Sequence, residues 1–500
     1  MADKSGIEIK KEKRPTIADF FKKVWSAILG FFKAIGDEFK DIWLTFVNGD
    51  WKTKVSYLVM GFGCIARGQI LRGLLFLLFE IVFIGYMIFW GASWISKLPL
   101  DMTKLSGATQ EYSEIYDSYV TTYHDNTFKI LLYGVLTIFF IIGFIYTWRL
   151  NVKQNKIAEG IIKSGKKLKS GKDDLRSMVD DQFHKTLLAL PLLGILVFTV
   201  MPIVFMILVA FTNYSGTNDG VSNLFTWVGL DNFNELLSWK SADGAQSYAA
   251  TFGEILAWTL MWAFFATFTN YFLGMLVAIA INKKGIRLKK VWRTILVLTI
   301  AIPQFISLLY VSKMFAKNGI VNGFLMDLGW IKKAIDFWGD TRNNGLMARV
   351  LVIIINIWIG IPYLMLIATG ILMNIPADLY ESAKIDGATG WQQYSKITLP
   401  YMMFIMGPYL LTSFTGNMNN FNVIYLLTGG NPLNTAASST GIAVGHTDLL
   451  ITWLFKIATG SGNKYYQASV IGILVFVIIA IITLIVYSML PSVKNEEDFQ

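Results

Sequence analysis

Eight apolar stretches, each close to the roughly 20 residues a helix needs to cross a bilayer, dominate this 500-residue chain. They run over 72–96, 130–148, 186–212, 252–281, 291–312, 350–374, 402–427 and 468–490. Their length and continuity rule out strands, and with them a β-barrel. The expected fold class is all-α, a polytopic membrane protein of about eight transmembrane helices. Only 16% of residues are charged, against about 25% in soluble domains, as a lipid solvent requires.

The formal net charge is +10. In a soluble chain that balance would point to nucleic acid. Here the basic residues gather in the loops, so they report membrane orientation and no nucleic-acid partner is expected. Placing the N-terminus, 149–185, 282–290, 375–401 and 491–500 in the cytoplasm puts 32 of the 44 Lys+Arg on that side, helix ends included. The densest blocks are Lys163, Lys166, Lys167, Lys169 and Lys172, then Lys283, Lys284, Arg287, Lys289 and Lys290. A seven- or nine-span count would break this agreement. The expected location is the cell membrane, multi-pass, with both termini cytoplasmic. The N-terminus is charged through Arg14 and does not read as a signal peptide. One cysteine, Cys64, excludes an intrachain disulfide, and His124, His184 and His446 lie too far apart to suggest a metal set. No cofactor or metal is expected.

Residues 16–48 carry aromatic and aliphatic residues at helical spacing, among them Phe20, Trp25, Phe32, Phe39 and Trp43, with Lys22, Lys33, Asp37, Glu38 and Lys40 between them. This predicts an amphipathic helix lying in a membrane interface. The alternative is a helix packed on a partner subunit. Residues 53–71 contain Gly61, Gly63, Arg67 and Gly68 and read as a second interfacial or short re-entrant piece. The external loops, about 97–129, 213–251, 313–349 and 428–467, are too short for a large domain, and the basic loop 149–185 is expected to be helical in part.

Between the sixth and seventh spans, residues 374–400 read as helix, sharp turn, helix. Pro376 suits a first helical turn, and Asp378 and Glu381 favour a helix N-terminus. Leu379, Tyr380 and Ala383 form an apolar stripe. Asp386-Gly387 breaks the helix, Thr389 and Gln392 are spaced as a capping box for the second helix, and Pro400 is expected to end it before the next span. Such an element is built to dock into another protein. The alternative is an ordinary loop on the bilayer surface.

This segment resembles the Glu-Ala-Ala motif of binding-protein-dependent ABC importer permeases. Glu381-Ser382-Ala383, Gly387, Ile397, Leu399 and Pro400 match the pattern, with Ser382 replacing one alanine. The resemblance extends through Ala189-Leu190-Pro191, Val228-Gly229-Leu230, Asn356-Ile357-Trp358 and Asn417 to Leu426. It is to the larger, MalF-type permease subunits of maltose/maltodextrin importers. It covers roughly 184–491 and implies a type I ABC importer permease fold. The implied organisation is an interfacial N-terminal region (1–71), two additional spans with a basic loop (72–183), a six-helix core (184–491) and a tail (492–500). The segment 213–251 is too short for the extracytoplasmic domain those subunits carry.

The resemblance implies that the loop 375–400, centred on Glu381, Ala383, Asp386, Gly387 and Ala388, engages a separate ATPase. It implies as partners a second, MalG-type permease, an ATPase dimer, an extracytoplasmic sugar-binding protein, membrane lipid and a maltodextrin substrate. It also implies that Gln304, Ile359, Gly360, Tyr363, Ser413, Asn417 and Asn420 line the glucan path. Ile300 and Gly416 stand where the family's best-known member has aromatic rings. Read from the residues alone, the amide and hydroxyl cluster of the seventh span fits two roles, contact with sugar hydroxyls or hydrogen bonding between helices.

Gly160 through Lys167 nearly spells a P-loop but lacks the final Ser or Thr and a preceding strand, so ATP hydrolysis is assigned to a partner and the chain is not expected to be an enzyme. Glu80 lies inside the first span. It is either a proton relay or, as we favour, a structural hydrogen-bonding group. The competing function classes are an ion-coupled secondary transporter, a membrane-embedded glycosyltransferase, and an ABC permease for another oligosaccharide or glycerol phosphate.

Overall fold

A computed structural model describes residues 17–168, 173, 176, 177, 179, 180, 183–240, 246–283, 285–438, 443–460 and 462–489. Lys169, Lys172 and Lys284 of the basic blocks, and the tail 492–500, lie outside the described residues. Among the described residues, seven helices are long and apolar enough to cross a bilayer: Ile70–Lys97, Thr127–Lys163, Phe183–Val209, Tyr248–Asn282, Arg342–Leu372, Gly390–Met418 and Tyr465–Ser488. The pair Lys289–Ala301 and Gln304–Met314, bent by 88°, passes the same criterion only when taken together, and counted as one broken span it makes eight. Every expected span recurs in place. The fifth is broken because Pro303 has no amide to donate and forces Ile302 into extended backbone, at φ −83° and ψ 124°. The seventh stops at Met418, and a separate helix, Phe421–Leu427, completes the apolar run. Among the described residues the only strands form an antiparallel hairpin, Ala108–Ser113 with Ser118–Tyr123, between the first two long apolar helices.

Contacts divide the chain into Met1–Phe205 and Met206–Gln500. In the first unit the helix Ile17–Asn48 leaves Trp25, Phe31, Phe32, Phe39 and Trp43 more than half exposed. It is tied to the rest of the unit by Glu38 with Arg149, Asp41 with Lys156, the Tyr57 hydroxyl donating to the Ile42 carbonyl (2.8 Å), and Phe46 edge-on to the Tyr57 ring. The second span continues as helix to Lys163, well past its apolar stretch. Against this extension folds the segment 50–69, two short helices held by a polar clasp. Arg67, its side chain only 1% exposed, pairs with Asp50 and donates to Thr53 Oγ1 (2.6 Å) and Asn155 Oδ1 (2.7 Å). Glu159 accepts from the Asp50 amide (3.2 Å) and from Thr53 Oγ1 (2.9 Å). Asn151 donates to the Ser56 carbonyl (2.8 Å) and accepts from the Gly61 amide (3.0 Å). Buried charge is tolerated here because each group is paired and hydrogen-bonded. Gly61 sits at φ +81°, and a Cβ there would fall 2.0 Å from the Gly73 carbonyl oxygen. Glu80 belongs to the same arrangement: buried, it accepts from the Met60 amide at 2.8 Å, the structural role favoured above. Gly160 lies inside a helix, so the near-P-loop has neither the loop nor the strand that phosphate binding needs.

In the second unit Tyr248–Asn282 is the central post. Phe252 and Ile255 pack with Trp453 and Ile471, Trp258 and Trp262 with Leu308, Val352 and Val423, and Tyr271 and Met275 with Met365, Met402 and Met406. Its contact with Arg342–Leu372 is close enough that a Cβ on Gly360 would lie 2.3 Å from Asn270 Nδ2, and one on Gly274 2.7 Å from Leu364 Cβ. Small residues let the backbones approach where lipid supplies no hydrophobic drive.

Candidate functional site: a docking element and a polar segment on one helix

The helix Ala377–Ile385 starts after Pro376, which is the N-cap residue and lies outside the first turn. The turn that follows is a Schellman closure. The Gly387 amide donates to the Lys384 carbonyl (3.0 Å) and the Ala388 amide to the Ala383 carbonyl (2.8 Å), with Gly387 at φ +75°. The expected capping box is present: the Thr389 amide donates to Gln392 Oε1 (2.7 Å), and the Gln392 amide to Thr389 Oγ1 (3.3 Å).

The expected stop at Pro400 does not occur. Helix runs unbroken from Gly390 to Met418, 29 residues. A π-turn over Tyr394–Thr398 resets the hydrogen-bonding register just before Pro400, so the ring causes no break. The apolar stripe also differs from expectation. Tyr380 turns inward, its hydroxyl 2.9 Å from Thr398 Oγ1, and Ala383 is half-buried. Met373, Leu379, Ile385 and Trp391 are the exposed apolar residues of this end, and Glu381 and Asp386 are exposed beside them. Ile385, the most exposed of the four at 87%, was not marked by the sequence because it lies off the Leu379–Ala383 stripe.

The same helix carries the polar segment at its other end. Asn417 Nδ2 donates to Thr267 Oγ1 on the central post (3.0 Å), and Asn417 Oδ1 accepts from Asn420 Nδ2 (3.3 Å). Asn420 also caps Phe421–Leu427, accepting from the Val423 amide (3.3 Å). Trp262 Nε1 donates to the Asn417 carbonyl (3.1 Å). Ser413 interacts with the Tyr409 hydroxyl one turn away, which lies within electrostatic range of Tyr363. Tyr363 is half-exposed, Ile359 and Gly360 are partly buried on the same helix, and Gln304 is exposed at the start of Gln304–Met314, which packs on Phe421–Leu427. Thus Asn417 and Asn420 are bonded to each other and Ser413 lies one turn from Asn417 on the same helix, while Tyr363 and Gln304 stand on the helices Leu346–Leu372 and Gln304–Met314.

Two features were not expected from the sequence. Phe421 stacks on Tyr425 (4.7 Å between centroids), and Phe455 meets both edge-on. Beneath the polar segment, Asn270 Oδ1 and Asn356 Nδ2 are buried without a hydrogen-bond partner among the described residues. Nothing in a hydropathy pattern marks these pairings. Intramembrane asparagine, which is costly unless it has a partner or a polar path to face, was the available signal.

The family model of the binding-protein-dependent transport system inner membrane component matches residues 270–495. A galactooligosaccharide transport system permease, GanP of Bacillus subtilis, is 36% identical over 61% of this chain and 70% of its own length. The chain belongs to this family. The permease is also similar end to end to a maltodextrin transport system permease, MalC of Streptococcus pneumoniae, at 28% identity over 89% of this chain and 97% of that one. Its match to MalF of Vibrio vulnificus, a maltose/maltodextrin permease, reaches 33% but spans only 52% of this chain and 47% of the relative. The permease is therefore related to several transport-system permeases, of which the MalF type is one. It is the membrane component of an ABC importer, and the family's role is non-catalytic.

Proposed function

We propose that this permease carries maltodextrins inward as the larger half of a heterodimeric pore, with a MalG-type permease, an ATPase dimer and an extracytoplasmic sugar-binding protein. The observation that carries the coupling is the arrangement of the docking element: exposed Leu379, Ile385 and Trp391 around a rigid Schellman turn, at the end of a transmembrane helix. Glu381, Ala383, Asp386, Gly387 and Ala388 form its docking face and turn. Closure of the ATPase pair moves this end, and the pore alternates between inward- and outward-facing states. Both termini lie in the cytoplasm, and the exposed aromatics of Ile17–Asn48 sit in the lipid interface.

The sugar path is lined by Gln304, Ile359, Gly360, Tyr363, Ser413, Asn417 and Asn420. Sugar hydroxyls exchange hydrogen bonds with the amides, and the C–H faces lie on Tyr363. Full-length similarity to the maltodextrin permease supports this substrate. The higher identity to the galactooligosaccharide permease supports a second reading, a galactooligosaccharide in the same path. The test is uptake of labelled maltotriose and galactotriose by proteoliposomes holding the assembled importer and its binding protein. ATP-dependent maltotriose uptake that survives collapse of ion gradients is expected. Preference for galactotriose would favour the second reading, and uptake that dies with the gradient would overturn the ABC mechanism.

A further inference from the structure

A second polar site lies away from the path just described, where the N-terminal ends of Tyr248–Asn282 and Arg342–Leu372 meet Asn434, Ala436 and His446. It is a cavity of about 330 Å³ whose lining includes Glu254, Ala257, Met261, Arg349, Asn434 and His446. This volume is within the range of small-molecule sites.

The cavity is a built site. Asn434 Nδ2 donates to both Glu254 oxygens at 3.2 Å, which fixes the carboxylate. Arg349 lies over the Trp258 ring, 4.7 Å from its centroid, and its Nε donates to the His446 carbonyl at 2.7 Å. Its two terminal nitrogens make no hydrogen bond among the described residues. His446 is 8% exposed, and its Nδ1 has no hydrogen-bond partner, standing 3.8 Å from Glu254 Oε1. Burial first, and Arg349 second, push the His446 pKa below the usual histidine range, so the ring is neutral at physiological pH. The carboxylate and the guanidinium then cancel, and the site offers fixed acceptors and donors with no net charge. Met261 and Ala257 form an apolar wall beside them. A net-neutral, polyhydroxylated ligand matches this set, whereas an anion or a cation would leave one fixed charge opposed.

We propose that this cavity is an outer saccharide subsite, which holds one end of a neutral oligosaccharide before it enters the path lined by Asn417. The proposal rests on the sugar-import reading and on the orientation that puts this end of Tyr248–Asn282 outside.

The test uses the assembled importer and maltotriose bearing a photoreactive diazirine, with labelled peptides mapped by mass spectrometry. Labelling within 254–261 or at 349 is expected, competed by free maltotriose and not by an anionic trisaccharide of uronic acids. Met261→Trp fills the cavity and leaves the polar groups in place, and it should cut that labelling roughly tenfold, the loss of about 1.4 kcal/mol. Labelling near Asn417 should remain. Glu254→Gln should lower outer labelling with normal assembly, and if that variant fails to assemble the Met261→Trp result stands alone. Labelling confined to the Asn417 region, or outer labelling unchanged by Met261→Trp, overturns the subsite and leaves the maltodextrin reading intact. A Met261→Trp complex with unchanged labelling but lowered stimulation by the binding protein would assign the cavity to a protein side chain and overturn the proposal. No competed labelling anywhere in the chain overturns both readings.

Discussion

The Ala388 amide donates to the Ala383 carbonyl across 2.8 Å, closing a turn whose apex is Gly387 at φ +75°. Beyond its own chain neighbours, no described atom lies within 4 Å of where a Gly387 Cβ would stand. Within this chain a substitution there therefore meets backbone strain, about 1–2 kcal/mol for an ordinary L-residue, and no packing clash.

That separation makes a graded prediction. Gly387→Leu should weaken ATPase co-purification and abolish most transport while the chain still inserts. Gly387→Asn should fall between leucine and the wild type, because asparagine tolerates the left-handed region. Equal uptake by all three proteins would remove the turn from coupling.

Asn417 has two jobs to separate. Asn417→Leu should reduce maltodextrin uptake at least several-fold with ATPase assembly intact, since a stranded buried polar group costs roughly 1–3 kcal/mol. Thr267→Val removes the interhelical hydrogen bond and keeps the Asn417 amide. It should retain most uptake. If the two variants lose expression alike and transport normally per assembled complex, Asn417 only joins helices.

The clasp around Arg67 should be the most sensitive part of the N-terminal unit. Arg67→Met removes the buried guanidinium that pairs with Asp50 and donates to Thr53 and Asn155, while Glu159 keeps Lys163 at 2.6 Å; with Asp50 screened by solvent the loss is about 1–3 kcal/mol. Thermal unfolding in detergent should start at a lower temperature, and protease should cut near 50–69 first. A melting temperature equal to the wild type would show that the clasp adds nothing to stability.

Orientation can be read directly. A cysteine placed at Gly165 should be labelled by an impermeant maleimide only after the cells are opened, and one at Asp219 in intact cells. The reverse pattern would invert the topology and move the outer cavity to the cytoplasm.

The span positions were legible because lipid imposes one rule, about 20 apolar residues, on every crossing. The docking turn was legible because Gly387 and the Thr389–Gln392 pair act over three or four residues. The bend at Ile302–Pro303 was missed because apolar content continues through it. Pro400 was misread because a π-turn has no compositional mark. The clasp joins Arg67 to Asn155, Gly61 to Asn151 and Asp50 to Glu159, pairs 88, 90 and 109 positions apart in the chain, and the outer cavity joins Glu254, Arg349 and His446 from three segments. Single residues in such clusters look like isolated polar intrusions until the fold brings them together.

The unbroken helix Gly390–Met418 spans about 43 Å at 1.5 Å per residue. Trp391 stands exposed at one end, and Asn417 is bonded to the central post at the other. The π-turn at Tyr394–Thr398 and Pro408 are the two places along it where it can bend. A tilt imposed at Trp391 is either taken up there or passed to the central post through Met402 and Met406, packed on Tyr271 and Met275, and through the bonds of Asn417 to Thr267 and Trp262. On the coupling proposed above, the helix transmits only the part of the stroke that neither bend absorbs.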